Sequence, residues 1–255
     1  MAIMYTFDDL KDKIKRYFKL SKEETKAVII SILVYGFIIS FRQWGDPKFQ
    51  FFVGLGNLFT GILIITLTVV IHVFVQRISA LHVGFRPEYK LWIYGILISL
   101  ALCIVTNGRA WFLFLPGGIF LHMLSQHRLG YFRYGLNLHA HALIAFTGPL
   151  ANISLAIIFR IFQSFLPTNP LIQKVIAVNL LFAAFSMLPI PPLDGSRIFY
   201  YSRMTYVFFI GVLLGVIVFL ISNIGIILTI IGSLLLGAFL WFLYYILFER
   251  KFWTT

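Results

Sequence analysis

Seven long runs of apolar residues dominate this sequence, and they restrict its fold more than any other feature. They occupy residues 27–41, 51–76, 91–106, 140–165, 175–190, 204–222 and 225–247. A helix that crosses a bilayer needs about 20 predominantly apolar residues. Charged residues make up 12% of the chain, compared with about 25% in soluble domains. The pattern therefore predicts an all-α polytopic membrane protein with six to seven transmembrane helices.

A further apolar stretch, residues 111–124, is too short for an ordinary span. It reads WFLFLPGGIFLHML, and Pro116, Gly117 and Gly118 interrupt it. Irregular backbone exists at membrane depth only where protein or a water-filled cavity shields it. We therefore expect a re-entrant hairpin or broken helix inside the bundle.

The positive charges are concentrated on one side of the predicted spans. Of the 21 lysines and arginines, 16 fall on one side of the predicted spans. The five on the opposite side are Arg42, Lys48, Arg109, Arg160 and Lys174. Cytoplasmic loops carry such an excess. We therefore expect an integral protein of the cell membrane with both termini cytoplasmic. The net charge of +12 is explained by topology, and no nucleic acid partner is expected.

The chain divides into a short basic segment and one membrane domain. Residues 1–26 are basic and contain scattered apolar side chains. They form either an amphipathic helix on the inner leaflet or a solvated tail that only fixes topology. Residues 27–255 read as a single membrane domain whose first partner is the lipid bilayer. The single cysteine, Cys103, excludes an internal disulfide and a Cys-based zinc site.

Two stretches at the ends of these runs contain residue types that can bind metal. Residues 72–76 read HVFVQ, and residues 188–195 read LPIPPLDG. His72 and Gln76 are four residues apart, so a helix places them on one face. The prolines and the glycine end a helix and can turn Asp194 back toward the bundle. Because both helices run inward in the predicted topology, we expect His72, Gln76 and Asp194 to converge near the inner face.

The order of these stretches resembles the site-2 protease family of intramembrane zinc metalloproteases. In that family a helical H-E-x-x-H supplies two imidazoles and a general base, and the aspartate of an L-D-G motif supplies a third ligand. Residues 146–152, FTGPLAN, match the family's A-G-P-L-x-N stretch. Residues 77–84, 88–92 and 115–118 are similar to connecting segments of an archaeal-type branch. The resemblance covers roughly residues 60–205 and implies a site-2-protease-like core.

Three positions depart from the family pattern. Val73 stands in place of the glutamate and cannot accept a proton, and Gln76 stands in place of the second histidine. An amide oxygen is a poor zinc ligand compared with imidazole. Ser186 occupies a position where the family usually has asparagine. Loss of a general base alone typically costs about 10²–10⁴ in rate, so we expect no catalytic residues and no cofactor.

These departures favour a catalytically inactive homologue that binds or regulates other membrane proteins through their transmembrane helices. The alternative is an active intramembrane zinc metalloprotease with rearranged ligands: His72, Asp194 and one of His139 or His141. A transporter or channel is a third hypothesis. It would need ionisable residues at membrane depth, and Asp194 is the single acid expected there.

Several of these residues also have structural explanations. His72 could bond to a backbone carbonyl or to Gln76, and Asp194 could cap the following helix or pair with Arg197. The resemblance implies substrate contacts at four further positions: Gly148, Pro149, Asn152 and Ser186. Helix packing and polar contacts between helices are the alternative for the first three.

Overall fold

A computed structural model describes residues 7–45, 48–123, 137–222 and 224–250. Within these ranges the chain is predominantly helical, with one pair of strands. The elements are α1 (Phe7–Tyr17), α2 (Lys22–Ser40), α3 (Phe51–Val83), β1 (Phe85–Leu91), α4 (Ile93–Val105), β2 (Gly117–Met123), α5 (Leu138–Phe165), α6 (Pro170–Ser186), α7 (Asp194–Tyr201), α8 (Arg203–Ile221), α9 (Ile226–Tyr244) and a π-helical turn (Tyr245–Glu249).

Four helices in the described part of the chain are long and apolar enough to cross a bilayer. They are α3, α5, α8 and the continuous stretch Ile226–Glu249. α4 and α6 are also apolar but have only 13 and 17 residues, and α2 begins with a charged first turn. The prediction of an all-α polytopic membrane protein is confirmed, although three of the predicted runs form helices shorter or more polar than a full span.

The stretch predicted as a re-entrant hairpin or broken helix contains a strand. Its first six residues, 111–116, form neither helix nor strand, and β2 follows. β2 pairs antiparallel with β1, in a register that runs from Phe85 opposite Met123 to Leu91 opposite Gly117. The second half of β1 falls in residues 88–92, a stretch predicted as a connecting segment. The last predicted residue, 124, lies outside the described residues.

The core is built around α3, which packs against α2, β1, α5 and α6. A buried apolar cluster joins Ile65, Val69 and Val73 of α3 to Phe182 of α6. α5 packs in turn on α6 and α7. α8 and α9 form a close pair: a Cβ atom added at Gly211 would lie 2.8 Å from the Cα of Gly237. Small residues of this kind allow helices to approach closely in membranes.

A buried ion pair joins four elements immediately after the HVFVQ stretch. Arg77 of α3 is 2% exposed, and its Nη1 donates to Glu24 Oε1 of α2 at 2.6 Å. The same carboxylate oxygen accepts the N–H of Tyr89 in β1 at 3.0 Å. The Nε and Nη2 atoms of the same guanidinium donate to main-chain carbonyls at and just after the end of α1, those of Tyr17, Phe18 and Lys19. The pair therefore fixes α1, α2 and β1 against α3.

Candidate functional site

His72 lies at the centre of a buried polar cluster between α3, α5 and α7. Its Nε2 is 2.9 Å from Asp194 Oδ2, and its Nδ1 is 3.1 Å from Asn152 Nδ2. An amide nitrogen can only donate, so Nδ1 accepts and Nε2 carries the proton that it donates to Asp194. His72 therefore bonds to neither a backbone carbonyl nor Gln76 in this arrangement. The imidazole is held at both nitrogens.

The proline-rich loop between α6 and α7 positions Asp194. Asp194 is the first residue of α7, where the positive end of the helix dipole stabilises a carboxylate. A Cβ at Gly195 would fall on the carbonyl of Met187, and one at Gly118 would fall on the carbonyl of Pro192. Both glycines thus allow main chain to pack directly on this loop. No ion pair joins Asp194 to Arg197 in the described residues, and Asp194 Oδ1 is buried without a hydrogen-bond partner.

Gln76 takes part in a helix–helix contact that depends on Pro149. A proline within a helix has no N–H, so the carbonyl four residues earlier lacks its usual donor. Pro149 lies inside α5, and the carbonyl that it leaves is that of Ala145. Gln76 Nε2 donates to this oxygen at 3.1 Å. The side chain at the second-histidine position therefore satisfies a buried carbonyl of the neighbouring helix.

Replacing Gln76 with leucine is expected to destabilise the protein by about 1–3 kcal/mol, because it leaves the buried Ala145 carbonyl without a donor. Unfolding titrations in mixed detergent micelles measure this free energy. The control is Pro149→Ala, which supplies an N–H for the same carbonyl within α5. In that background Gln76→Leu should cost at least about 0.5 kcal/mol less. Equal costs in the two backgrounds would contradict the assignment.

The position of the general base is apolar in its side chain and in its surroundings. Val73 is 2% exposed and belongs to the core cluster with Ile65, Val69 and Phe182. A carboxylate placed in such surroundings would lack the polar contacts that a charged group needs. The site therefore has no group at this position that could activate water.

The residues present do not fit a resident catalytic zinc, which needs three protein ligands. The described residues contain no group of three or more His, Cys, Asp or Glu side chains that could hold a metal. His139 packs on Tyr201, with ring centroids 5.1 Å apart, and His141 packs on Phe85 at 5.2 Å. Neither histidine completes a set with His72 and Asp194, so two donors remain.

The four residues predicted to contact substrate are all buried. A Cβ at Gly148 would lie 2.5 Å from Gln76 Nε2 and 2.6 Å from two atoms of the His72 ring, so this glycine lets both side chains lie against α5. Asn152 bonds to His72, and Ser186 donates to the carbonyl of Ala183 in its own helix. These contacts are structural, and the substrate-binding role stays a prediction.

One contact of the site, and a buried polar residue on the same helix, were not identified from the sequence. Phe182 of α6 presents an edge-on aromatic contact to His72, with centroids 5.2 Å apart. Asn179, one turn earlier on α6, is fully buried. Its Nδ2 donates to the Val175 carbonyl of the same helix, and its Oδ1 has no hydrogen-bond partner among the described residues. An asparagine in an apolar run is the one signal that could have drawn attention to this face of α6, because buried polar groups in membranes normally bond to another helix.

The sequence is similar to that of an archaeal protein. A protein of Methanocaldococcus jannaschii called "putative zinc metalloprotease" is 26% identical over 185 residues, which cover 71% of this chain and 85% of that protein. The similarity supports a site-2-protease-like family. No family model matches the sequence, and no solved structure matches the chain.

Proposed function

We propose that this chain is a catalytically inactive site-2-protease-like membrane protein that binds or regulates other membrane proteins. The observation that carries the proposal is the contact between Gln76 and the Ala145 carbonyl. It gives the second-histidine position a structural role in place of metal binding. Val73 at the position of the base adds to the same conclusion, since valine cannot transfer a proton. No resident zinc is therefore part of the proposal.

The same proposal includes a placement in the cell. The four apolar helices support a membrane protein. The excess of lysine and arginine on one side of the predicted spans supports cytoplasmic termini. In this arrangement the basic segment 1–26 lies on the cytoplasmic face, and 27–255 forms one membrane domain of the archaeal-type branch.

An active intramembrane zinc metalloprotease is the second candidate function. The name of the similar protein favours it. A specific feature of the site favours it as well: His72 Nε2 and Asp194 meet although they are 122 residues apart, and Asp194 Oδ1 has no partner within the described part of the chain. A metal bound between them would need at least one more ligand from outside the described residues.

Zinc content and proteolysis together distinguish the two candidates. We expect purified wild-type protein, analysed by inductively coupled plasma mass spectrometry, to contain far less than one zinc per chain. We also expect it to leave a panel of transmembrane peptides uncut in proteoliposomes. About one equivalent of tightly held zinc that disappears in Asp194→Ala would contradict the inactive assignment and support the metalloprotease.

Binding of transmembrane helices is tested in native membranes with a photo-cross-linking residue at Leu150. Leu150 is 43% exposed on α5 and directly follows Pro149. Leu228 of α9, 65% exposed, is the matched control on a helix that packs mainly on α8. A discrete protein adduct at Leu150 but not at Leu228 would support the proposal. Lipid adducts alone at both positions would contradict the binding role.

A further inference from the structure

An open cleft lies where α7 meets the start of α8 and the π-helical turn. Its volume is about 710 Å³, within the range of about 300–1,000 Å³ typical of small-molecule sites. Its lining combines one cation, one anion and a group of aromatic residues: Arg203, Glu249, Phe199, Tyr200 and Tyr201. This cleft is separate from the cluster around His72.

The cleft lies at the edge of the hydrocarbon region. The span formed by α8 begins at Arg203, and the span that returns ends at Glu249. The 19 residues of α8 extend about 28 Å, close to the hydrocarbon thickness of about 30 Å. Tyr200 is 65% exposed beside them, and tyrosine is enriched at membrane–water interfaces. Lipid headgroups occupy this depth.

The two charges in the cleft are not neutralised by each other. No ion pair joins Arg203 and Glu249 in the described residues. Arg203 instead lies 5.8 Å above the Phe199 ring. A ligand with an anionic and a cationic end could therefore contact both side chains at once.

A second, apolar cleft lies between the same two spans, deeper in the bilayer than the first. It has a volume of about 310 Å³ and is lined by Thr205 and Phe208 of α8 and by Ala238 and Trp241 of α9. Phe208 lies about one and a half helical turns deeper than Arg203, and Trp241 about two turns deeper than Glu249, along the two spans that carry these charges. A charged cleft at headgroup depth and an apolar cleft beneath it match the two parts of a phospholipid.

We propose that these clefts form a binding site for a phospholipid whose headgroup carries a phosphate and a primary ammonium. Arg203 donates to the phosphate, since guanidinium groups match phosphate geometry. Glu249 accepts hydrogen bonds from the ammonium, and an acyl chain lies between Phe208 and Trp241. A quaternary ammonium has no N–H group, so Glu249 selects phosphatidylethanolamine over phosphatidylcholine.

Native mass spectrometry of the delipidated full chain tests this site. The protein is titrated separately with dioleoyl phosphatidylethanolamine, phosphatidylcholine and phosphatidylglycerol. We expect the first lipid to bind at least about tenfold more tightly than the second, the ratio that one hydrogen bond to a charged group supports. Glu249→Gln should remove this preference, whereas Arg203→Gln should weaken binding of all three lipids. Ala238→Leu should also weaken all three without changing their order.

Matched controls neutralise one cation and one anion outside the cleft. Lys26→Gln and Glu23→Gln change exposed residues at the start of α2 and should leave all three affinities unchanged. Equal binding of phosphatidylethanolamine and phosphatidylcholine by wild-type protein would overturn the proposal, and that comparison needs no variant. Tighter binding of phosphatidylglycerol, or an unchanged preference in Glu249→Gln, would overturn it as well.

Discussion

Replacing Arg77 with methionine is expected to destabilise the protein by about 3–5 kcal/mol, the typical cost of removing one partner from a buried ion pair. The substitution leaves the Glu24 carboxylate, which is 4% exposed, without its countercharge. It also leaves carbonyls at the end of α1 without their donors. The free energy of unfolding is measured by titration with sodium dodecyl sulfate in mixed micelles.

Two variants test whether the loss comes from the buried pair. Arg86→Met removes an exposed arginine from β1 and should change the free energy of unfolding by less than about 0.5 kcal/mol. Arg77→Met combined with Glu24→Leu should recover part of the loss, because no unpaired charge then remains. Similar losses for Arg77→Met and Arg86→Met would contradict the structural role of the pair.

The pair also gives the protein a pH dependence. Burial raises the pKa of Glu24. Hydrogen bonds from the Ser21 N–H, Arg77 and the Tyr89 N–H together outweigh this effect and bring the pKa below its ordinary value of 4.5. A carboxyl group with a lowered pKa stabilises the fold above its unfolded pKa, and this stabilisation is lost as the pH falls through the folded pKa. The wild-type protein should therefore lose stability below about pH 4.5, and Arg77→Met should show less of this decrease.

Gln76→His is expected to hold about one zinc per chain, whereas we expect far less than one in the wild type. The substitution places a second imidazole one helical turn from His72, on the face that meets Asp194. Gly148 leaves space for both side chains. His72, Asp194 and the new side chain then supply the three protein ligands that catalytic zinc sites use. Plasma mass spectrometry after gel filtration measures the zinc content.

The control for zinc binding is Gln173→His, which adds a histidine at an exposed position of α6 and should not retain zinc. Adding Asp194→Ala to Gln76→His should abolish the bound zinc. Adding Val73→Glu supplies a base, but zinc binding should be restored before proteolytic activity is. Val73 lies among apolar side chains, and the residues that hydrogen-bond to the ligands also tune a metal site. No zinc in Gln76→His would show that His72, Asp194 and a histidine at position 76 cannot bind one metal ion together.

Helical content and the membrane-spanning character follow from local sequence. Runs of about 20 apolar residues can satisfy their backbone only as helices in lipid, so these features need no knowledge of neighbouring elements. The strand β1 also carries a local signal: in FRPEYKL, Phe85, Pro87 and Tyr89 are buried, and the residues between them are not. Its partner β2 follows 26 residues later, and that pairing is a long-range contact that local pattern does not encode.

The polar contacts of the site could be predicted from the sequence only in part. The L-D-G stretch and His72 suggested a shared location, and the structure brings His72 and Asp194 together. The sequence did not reveal that Gln76 bonds to Ala145, that Asn152 holds the second nitrogen of His72, or that Arg77 and Glu24 form a buried pair.

Apolar periodicity and residue type are properties of short segments, so the sequence alone determined the helices, their apolar character and the residues able to do chemistry. The partner of a buried polar group depends on how deep each helix sits and how it is rotated about its axis. Packing of α3 against α5 sets whether Gln76 meets the carbonyl that Pro149 leaves open. Only the tertiary structure decided that contact, because the two residues belong to helices whose relative positions are set by the whole core.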